Sequence, residues 1–277
     1  MTLPLLGSVF ATCAFAQPAE TPAYLRDRGD GLPTSLFGTY IRRAELLVYP
    51  FYEYEKNTAD EYEPFELGFP GAGEFLGESK ENELVLFVAY GFTDRLALEI
   101  EGALHADATF EKARDDPSTQ WQRLEESGLG EIETNLRYRW REETDDRPEL
   151  FSYLEIAYPF QRDDLLIGAQ DWEIGAGVGW IKGRPWGTIL GRVSLVYDGE
   201  ESKFELGEYA VEYLKKISSE WSFVAALEGE DDEIAVIGEG QWFFGRRAFL
   251  KFNAGFGLTE KAPDFAPEVG VMFRLGR

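Results

Sequence analysis

The feature that most constrains this chain is a period of two that runs almost to its C-terminus. Segments of about ten to thirteen residues alternate apolar and polar side chains, and turn residues separate them. The clearest reads Glu131-Ile132-Glu133-Thr134-Asn135-Leu136-Arg137-Tyr138-Arg139-Trp140. A strand sends successive side chains to opposite faces. One face therefore carries Ile132, Leu136, Tyr138 and Trp140. The other carries Glu131, Glu133, Asn135, Arg137 and Arg139. About twelve such strands follow one another, near 44–56, 82–91, 95–106, 128–140, 149–161, 170–182, 186–198, 203–216, 219–230, 232–245, 246–259 and 265–275.

The connections sort into two classes. After the even-numbered strands come compact turns: Phe92-Thr93-Asp94, a segment around 142–147, Gly183-Arg184-Pro185, Ile217-Ser218-Ser219 and Gly245-Arg246. After the first and third strands come the longest gaps, 57–81 and 107–127. Short turns on one side and long loops on the other mark membrane barrels, with the short side periplasmic. The pattern predicts an all-β fold: a single closed antiparallel up-and-down transmembrane barrel of about 12 strands over residues 44–277. An even strand count puts both ends of the barrel on the short-turn side. Residues 17–43 show no sustained period and are rich in Pro, Gly, Arg and Asp. They are expected to form a periplasmic arm or to tuck into the barrel mouth.

Alternation alone does not say which face points inward. A secreted β-sandwich would bury the apolar face, but its turns would show no odd–even asymmetry. Eight strands already make a barrel that side chains just fill. Twelve with an apolar lining would leave a void, whereas a polar, wet interior does not. Aromatic residues also collect where the apolar face meets the short turns: Tyr90, Tyr138, Trp140, Trp180, Tyr213, Trp221, Trp242, Phe244 and Phe273. Tyr52, Tyr54, Tyr158, Trp172 and Tyr197 lie toward the other end. Two such girdles are expected where lipid meets water. Strands of about nine to eleven residues, tilted, match the hydrocarbon thickness, and closure leaves no unpaired edge in lipid.

Composition narrows the partners. A net charge of −24 argues against nucleic acid. One histidine, His105, and one cysteine, Cys13, all but exclude a His/Cys metal centre, and no cofactor is expected. Residues 1–16 carry no charge, are rich in apolar side chains and end in Ala14-Phe15-Ala16. That is the outline of a secretory signal peptide cut before Gln17, without the basic n-region, and it suits a late-assigned start codon.

The motifs Tyr90-Gly91-Phe92-Thr93-Asp94-Arg95-Leu96, Gly128-Leu129-Gly130-Glu131 and Leu136-Arg137-Tyr138-Arg139-Trp140 resemble outer-membrane barrels of the phenol-degradation meta-pathway family and related transporter-like barrels. The stretch Arg26-Asp27-Arg28-Gly29 to Pro33-Thr34-Ser35-Leu36-Phe37-Gly38-Thr39-Tyr40 is similar to what precedes the first strand in some of them. The resemblance implies a bacterial outer-membrane barrel that takes up small hydrophobic or aromatic compounds. Lipid, lipopolysaccharide and the barrel-insertion machinery would be its partners. Such barrels often end on an aromatic residue; here Phe273 is followed by Arg274-Leu275-Gly276-Arg277.

With the apolar face outward, the lumen would be lined by Glu99, Glu101, Glu131, Glu133, Asn135, Arg137, Arg139, Glu155, Glu173, Arg192, Glu208, Glu212, Glu228, Glu239, Gln241, Lys251, Asn253, Glu268 and Arg274. Two readings compete. The carboxylates could form a constriction that favours cations. Alternatively, the charges could pair across strands into a ladder that fills the interior. Gly175, Gly177 and Gly179 fall on the same face and make room for a solute, for the N-terminal segment, or for large side chains such as Arg137 and Arg192. His105 alternates with Glu99 and Glu101 on the charged face, and no serine at a telling spacing makes it a hydrolase centre. The acidic loops 57–81 and 107–127 could hold a divalent cation or simply be solvated. The expectation is a passive channel or transporter, with a non-conducting structural or surface-interaction barrel second and a barrel lipid hydrolase third.

Overall fold

The computed structural model describes residues 21–65, 67–71, 73–199 and 203–276. The expected signal peptide lies outside the described residues. A short 3₁₀ turn, Ala23–Leu25, and a two-rung hairpin of β1 (Leu32–Pro33) and β2 (Tyr40–Ile41) precede the wall. The wall strands are β3 (Glu45–Tyr62), β4 (Phe75–Gly91), β5 (Leu96–Glu111), β6 (Arg123–Gly128), β7 (Ile132–Arg141), β8 (Glu149–Ala157), β9 (Glu173–Arg184) and β10 (Gly187–Asp198). They continue as β11 (Lys203–Lys216), β12 (Trp221–Glu230), β13 (Glu233–Phe243), β14 (Ala248–Gly257) and β15 (Ala266–Gly276).

These thirteen strands form one antiparallel sheet in sequence order. The sheet closes because β15 pairs with β3, placing Phe273 opposite Val48 and Gly276 opposite Glu45. Both β6 and β7 pair with β5, at Ala106–Glu111 and Leu96–Gly102 respectively. They are one stave interrupted at residues 129–131, so the barrel has twelve staves. Hydrogen bonding continues through the interruption: Gly130 N donates to the Ala103 carbonyl at 3.0 Å, and Ala103 N to that of Glu131 at 2.9 Å. Closure satisfies the backbone groups of the wall and leaves no edge, which is what a lipid environment requires.

The first three staves run 18, 17 and 16 residues, longer than the alternation suggests. The long gaps therefore shrink to 63–74 and 112–122. Residues 57–61 and 78–83 carry polar groups on both faces, so the apolar beat stops there. Backbone pairing does not: Glu55 still faces Glu81, and Asp60 faces Gly77. A strand standing clear of a membrane needs partners for its amides but no apolar face.

Along the middle of the wall, outward side chains are mostly apolar. Ile100, Leu136, Val178, Leu195, Leu227 and Phe252 are all exposed. The aromatics Tyr90, Trp140, Trp180, Trp221, Trp242 and Phe273 also stand on the outer surface, near the short-turn end. Trp221 stacks on Trp242 with ring centroids 6.3 Å apart. Inward side chains include Glu99, Asn135, Arg137, Arg192, Glu212, Glu239 and Lys251, all buried.

The interior is not purely polar. Leu47, Tyr49, Phe51, Val85, Phe87, Phe249 and Met272 form one buried cluster with Leu32 and Ile41 of the N-terminal hairpin. Phe151, Tyr153, Ile181, Leu190, Leu214 and Val224 form a second with Tyr40. Residues 46–52 and 84–89 are apolar on both faces for this reason. One face looks out and the other packs on the hairpin. Fully burying side chains such as Leu32 and Ile41 contributes about 1.5–3 kcal/mol each.

Two local readings of the sequence change. Leu84 pairs with His105 and Val85 with Ala103, so Leu104 is an extra residue in a bulge. One added residue flips the alternation, and His105 turns to the outer surface, where its Nε2 lies 3.1 Å from Asp107. The second concerns the glycines. A Cβ at Gly177 would lie 2.1 Å from the Tyr153 ring, and one at Gly179 would lie 2.2 Å from that of Phe151. The glycines do make room for large side chains opposite, but these are two rings of β8 and not Arg137 or Arg192.

Candidate permeation pathway

Residues 21–43 enter the barrel from the short-turn end and reach mid-lumen as a turn. Thr34 N donates to the Thr39 carbonyl at 3.0 Å, and Thr39 N to that of Leu36 at 3.2 Å. Gly38 closes the turn with φ +61°, and a Cβ there would meet Val224 Cγ2 at 2.5 Å. Both the left-handed backbone and the close wall call for glycine.

Wall side chains hold this tip largely by its main chain. Ser35 N and Oγ both donate to Glu99 Oε2, at 3.0 and 2.7 Å. Gly38 N donates to Glu212 Oε2 at 3.3 Å. Arg192 Nη1 donates to the Ser35 carbonyl at 3.2 Å, and Gln241 Nε2 to that of Gly38 at 3.4 Å. The Phe37 ring lies 4.7 Å from the Arg192 guanidinium carbon, a cation–π contact. Arg192 is itself held by three carboxylates: Glu208, Glu212 at 3.0 Å and Glu228 at 3.5 Å. Arg137 Nε sits 2.9 Å from Glu99, and Lys251 Nζ sits 3.2 Å from Glu239 and 3.4 Å from Glu268.

Nearer the short turns, a buried ion cluster fastens the base of the segment. Arg28 Nη2 lies 2.8 Å from Glu149 and 3.1 Å from Glu143. Glu149 also takes Arg139 at 2.9 Å, and Glu143 takes Lys182 at 3.2 Å. Arg274 Nη1 donates to the Tyr40 carbonyl at 3.0 Å and lies 3.2 Å from Glu45. Asp30, outside the strands, meets Arg42. Burial raises the Asp30 carboxyl, but the Arg42 guanidinium outweighs it and holds the group below its ordinary value.

The tip separates two cavities of opposite character. The outer one, about 420 Å³, is bounded by Phe37 and by Glu53, Glu55, Glu208, Glu228, Glu230, Glu233 and Glu268. The inner one, about 840 Å³, runs from the short turns to Gly38 and carries Arg26, Arg28, Arg42, Lys216, Arg246 and Arg274 against Asp27 and Asp30. Among the described residues, no ion pair forms at Glu53, Glu81, Glu83, Glu101, Glu131 or Glu133. Glu155 accepts from Asn135 Nδ2 at 2.7 Å, and Asn253 donates to Glu268 at 2.7 Å. Glu173 stands exposed at the outer end of β9.

Two of the acidic loop residues are used in folding the rim. Asp116 accepts from Tyr62 at 2.9 Å, and Glu126 accepts from Leu165 N and Leu166 N at 2.8 and 2.7 Å. Tyr62, Phe69, Phe110 and Trp121 pack beneath these loops, Phe69 stacking on Trp121 at 5.2 Å. No group of three metal-ligating side chains converges among the described residues.

Sequence reading missed Arg28, Glu143, Lys182, Ser35, Phe37 and Gly38 as lumen groups. Glu143 belongs to what reads as a solvated turn, and the others to stretches without a period or outside the chosen face. The two-sided apolar runs 46–52 and 84–89 are the signal that something must cover them from within.

A closed barrel of twelve staves, apolar outside and charged inside, with short turns at one end, has the build of an outer-membrane β-barrel. Among solved structures, the chain is similar to an outer membrane channel from Pseudomonas putida F1. The TM-score is 0.58 at 15% identity, covering 85% of this chain and 97% of that one. The KdgM porin in complex with oligogalacturonate aligns with TM-score 0.49 and 8% identity, over 82% of this chain and 98% of that one. The toluene transporter of P. putida aligns with TM-score 0.44 and 9% identity, over 92% and 98%. No family model and no curated protein matches the chain. At these identities the likeness speaks for the fold, not for the phenol-degradation family in particular.

Proposed function

We propose that the chain is an outer-membrane channel or transporter for a small solute, closed at mid-lumen by the turn Ser35–Gly38. The observation that carries this is the thinness of the barrier. Phe37 borders the outer cavity and Gly38 the inner one, so a short turn separates them. Of the carboxylates that line the outer side, Glu208, Glu228 and Glu268 share Arg192 and Lys251, while Glu53, Glu55, Glu230 and Glu233 form no ion pair among the described residues. In a confined space of low dielectric they attract cations and raise their local concentration. The lining therefore favours a cationic or polar solute over the hydrophobic one that the family likeness implies. Lipid and lipopolysaccharide would surround the wall, and the barrel-insertion machinery would place it.

Planar-bilayer recording under a salt gradient tests the reading. The purified, folded protein should show rare openings, with a reversal potential on the cation side. Phe37→Ala should raise the open fraction. A barrel that inserts yet never conducts, with or without that substitution, removes the channel reading. It would leave the second one, a non-conducting barrel, which the buried Arg28–Glu143–Glu149 fastening also fits.

A further inference from the structure

The groups around the plug tip form a receptor for more than the tip. We infer that the mid-lumen ring of Glu99, Arg137, Arg192, Glu212 and Gln241 is a binding site for peptide-like solutes carrying an aromatic side chain, and that Ser35–Gly38 occupies it as a built-in surrogate. The inference rests on the channel reading only for how such a solute arrives.

Three observations point this way. First, the ring reads main chain. Two carboxylates take the amides of Ser35 and Gly38, and two side-chain donors reach the carbonyls of the same residues. That pattern of two donors and two acceptors is what any short peptide offers. Second, charged groups read two side chains of the tip, and the larger is aromatic: the Ser35 hydroxyl meets Glu99, and the Phe37 ring is set on Arg192. A guanidinium fixed by three carboxylates presents a flat, pre-oriented face to a ring. Third, the tip uses the ring incompletely. Arg137 Nη1 and Asn135 Oδ1 are buried without a hydrogen-bond partner, and both residues are under 3% exposed. Their neighbours Glu99 and Glu155 hold the opposite edges, Arg137 Nε at 2.9 Å and Asn135 Nδ2 at 2.7 Å. A buried polar atom left unmatched favours any ligand that matches it.

A peptide with one more amide than the tip presents could satisfy the free donor and acceptor as well. It would then compete with the surrogate from the outer cavity, whose boundary includes Phe37. Displacement of the tip by a better-matched ligand joins the two cavities. Ligand recognition and opening thereby become one event, because the same groups serve both.

The test uses the full chain and two capped tetrapeptides, acetyl-Ser-Leu-Phe-Gly-amide and its Phe-to-Ala analogue. Binding is measured by titration calorimetry to the wild type and to Phe37→Ala, in which the tip loses its ring. The aromatic peptide should bind Phe37→Ala about tenfold or more tighter than the analogue does. It should bind the wild type more weakly, by the fraction of time the tip holds the site. Equal binding of the two peptides, or no binding to a folded Phe37→Ala, overturns the inference. Should Phe37→Ala not fold, Ser35→Ala removes only the hydroxyl donated to Glu99 and should bind the aromatic peptide more tightly than the wild type; failure to do so counts equally against the site. Recording current in parallel separates the two claims. Selective peptide binding without any current keeps the site and removes the channel. Current without selective binding does the reverse.

Discussion

The inner and outer halves of this lumen are lined by the same strands yet follow opposite electrostatic rules. In the inner half, the buried carboxylates Glu143, Glu149 and Glu239 each have a cation beside them. Arg28 and Arg139 share Glu149, Lys182 takes Glu143, and Lys251 takes Glu239. In the outer half, Glu53, Glu81, Glu101 and Glu133 face one another without a cation. Burying an unmatched charge is costly, so the first arrangement belongs where the plug excludes water. The second requires water or mobile ions. The charged face thus holds a ladder of ion pairs toward one end and carboxylates without ion pairs toward the other, the arrangement that the proposed cation-attracting chamber rests on. The plug tip is the border between them.

The largest effect should come from breaking the match at that border. Arg192→Met leaves Glu208, Glu212 and Glu228 without their cation and Phe37 without its partner. The cost is expected to be about 3–5 kcal/mol, read as a lower urea midpoint in detergent or lipid. Glu133→Gln, in the outer half, should leave that midpoint unchanged or raise it, since it removes like-charge repulsion. Comparable losses at both positions would erase the distinction between the halves.

A smaller effect is expected at Gly38. Ala there must adopt φ +61° and approach Val224 Cγ2. The left-handed conformation alone costs roughly 1–2 kcal/mol. The loss should appear chiefly as a higher open fraction, because the tip, and not the wall, carries the strain. An unchanged open fraction would mean that the tip is not the barrier.

Neutralising the outer chamber sharpens the contrast from the other side. Glu53→Gln combined with Glu233→Gln should move the reversal potential toward zero while leaving stability within about 0.5 kcal/mol. The smallest effect belongs to Asp30. Its carboxyl is held below its ordinary value in the folded state, so it contributes stability above the unfolded value, near about 4. That contribution is lost as the pH falls through the folded value. The pair with Arg42 is largely exposed, so Asp30→Asn should cost under about 1 kcal/mol at neutral pH, and nothing once the group is protonated. A pH-independent difference would remove the ion pair from the account.

The wall was legible in the sequence because lipid imposes a strict rule. Outward positions must be mostly apolar, and Ile132, Leu136, Tyr138 and Trp140 follow it at a period of two. Staves, turns and ends follow from that period. The extra length of β3 to β5 was not legible, since strands beyond the membrane obey only backbone pairing. The bulge at Leu104 was hidden as well: one inserted residue leaves the local composition unchanged but reverses the face of His105. The plug was the least visible part. Residues 21–43 form few regular hydrogen bonds of their own, and their conformation is set by groups distant in sequence, such as Glu99, Glu212 and Gln241. Only the two-sided apolar runs 46–52 and 84–89 announced that the lumen contained something to cover them.

The most direct measurement is the reaction of a membrane-impermeant maleimide with single cysteines on either side of the tip. The protein is inserted with its loops facing the reagent, in a Cys13→Ala background. Glu233→Cys, in the outer chamber, should label at close to the rate of a free thiol. Leu214→Cys, packed beneath Gly38, should label at least about a hundredfold more slowly, corresponding to roughly 2.7 kcal/mol of protection, and should speed up in Phe37→Ala. Equal rates at the two positions, unaffected by that substitution, would show that no barrier stands at Ser35–Gly38 and that the halves are one continuous space.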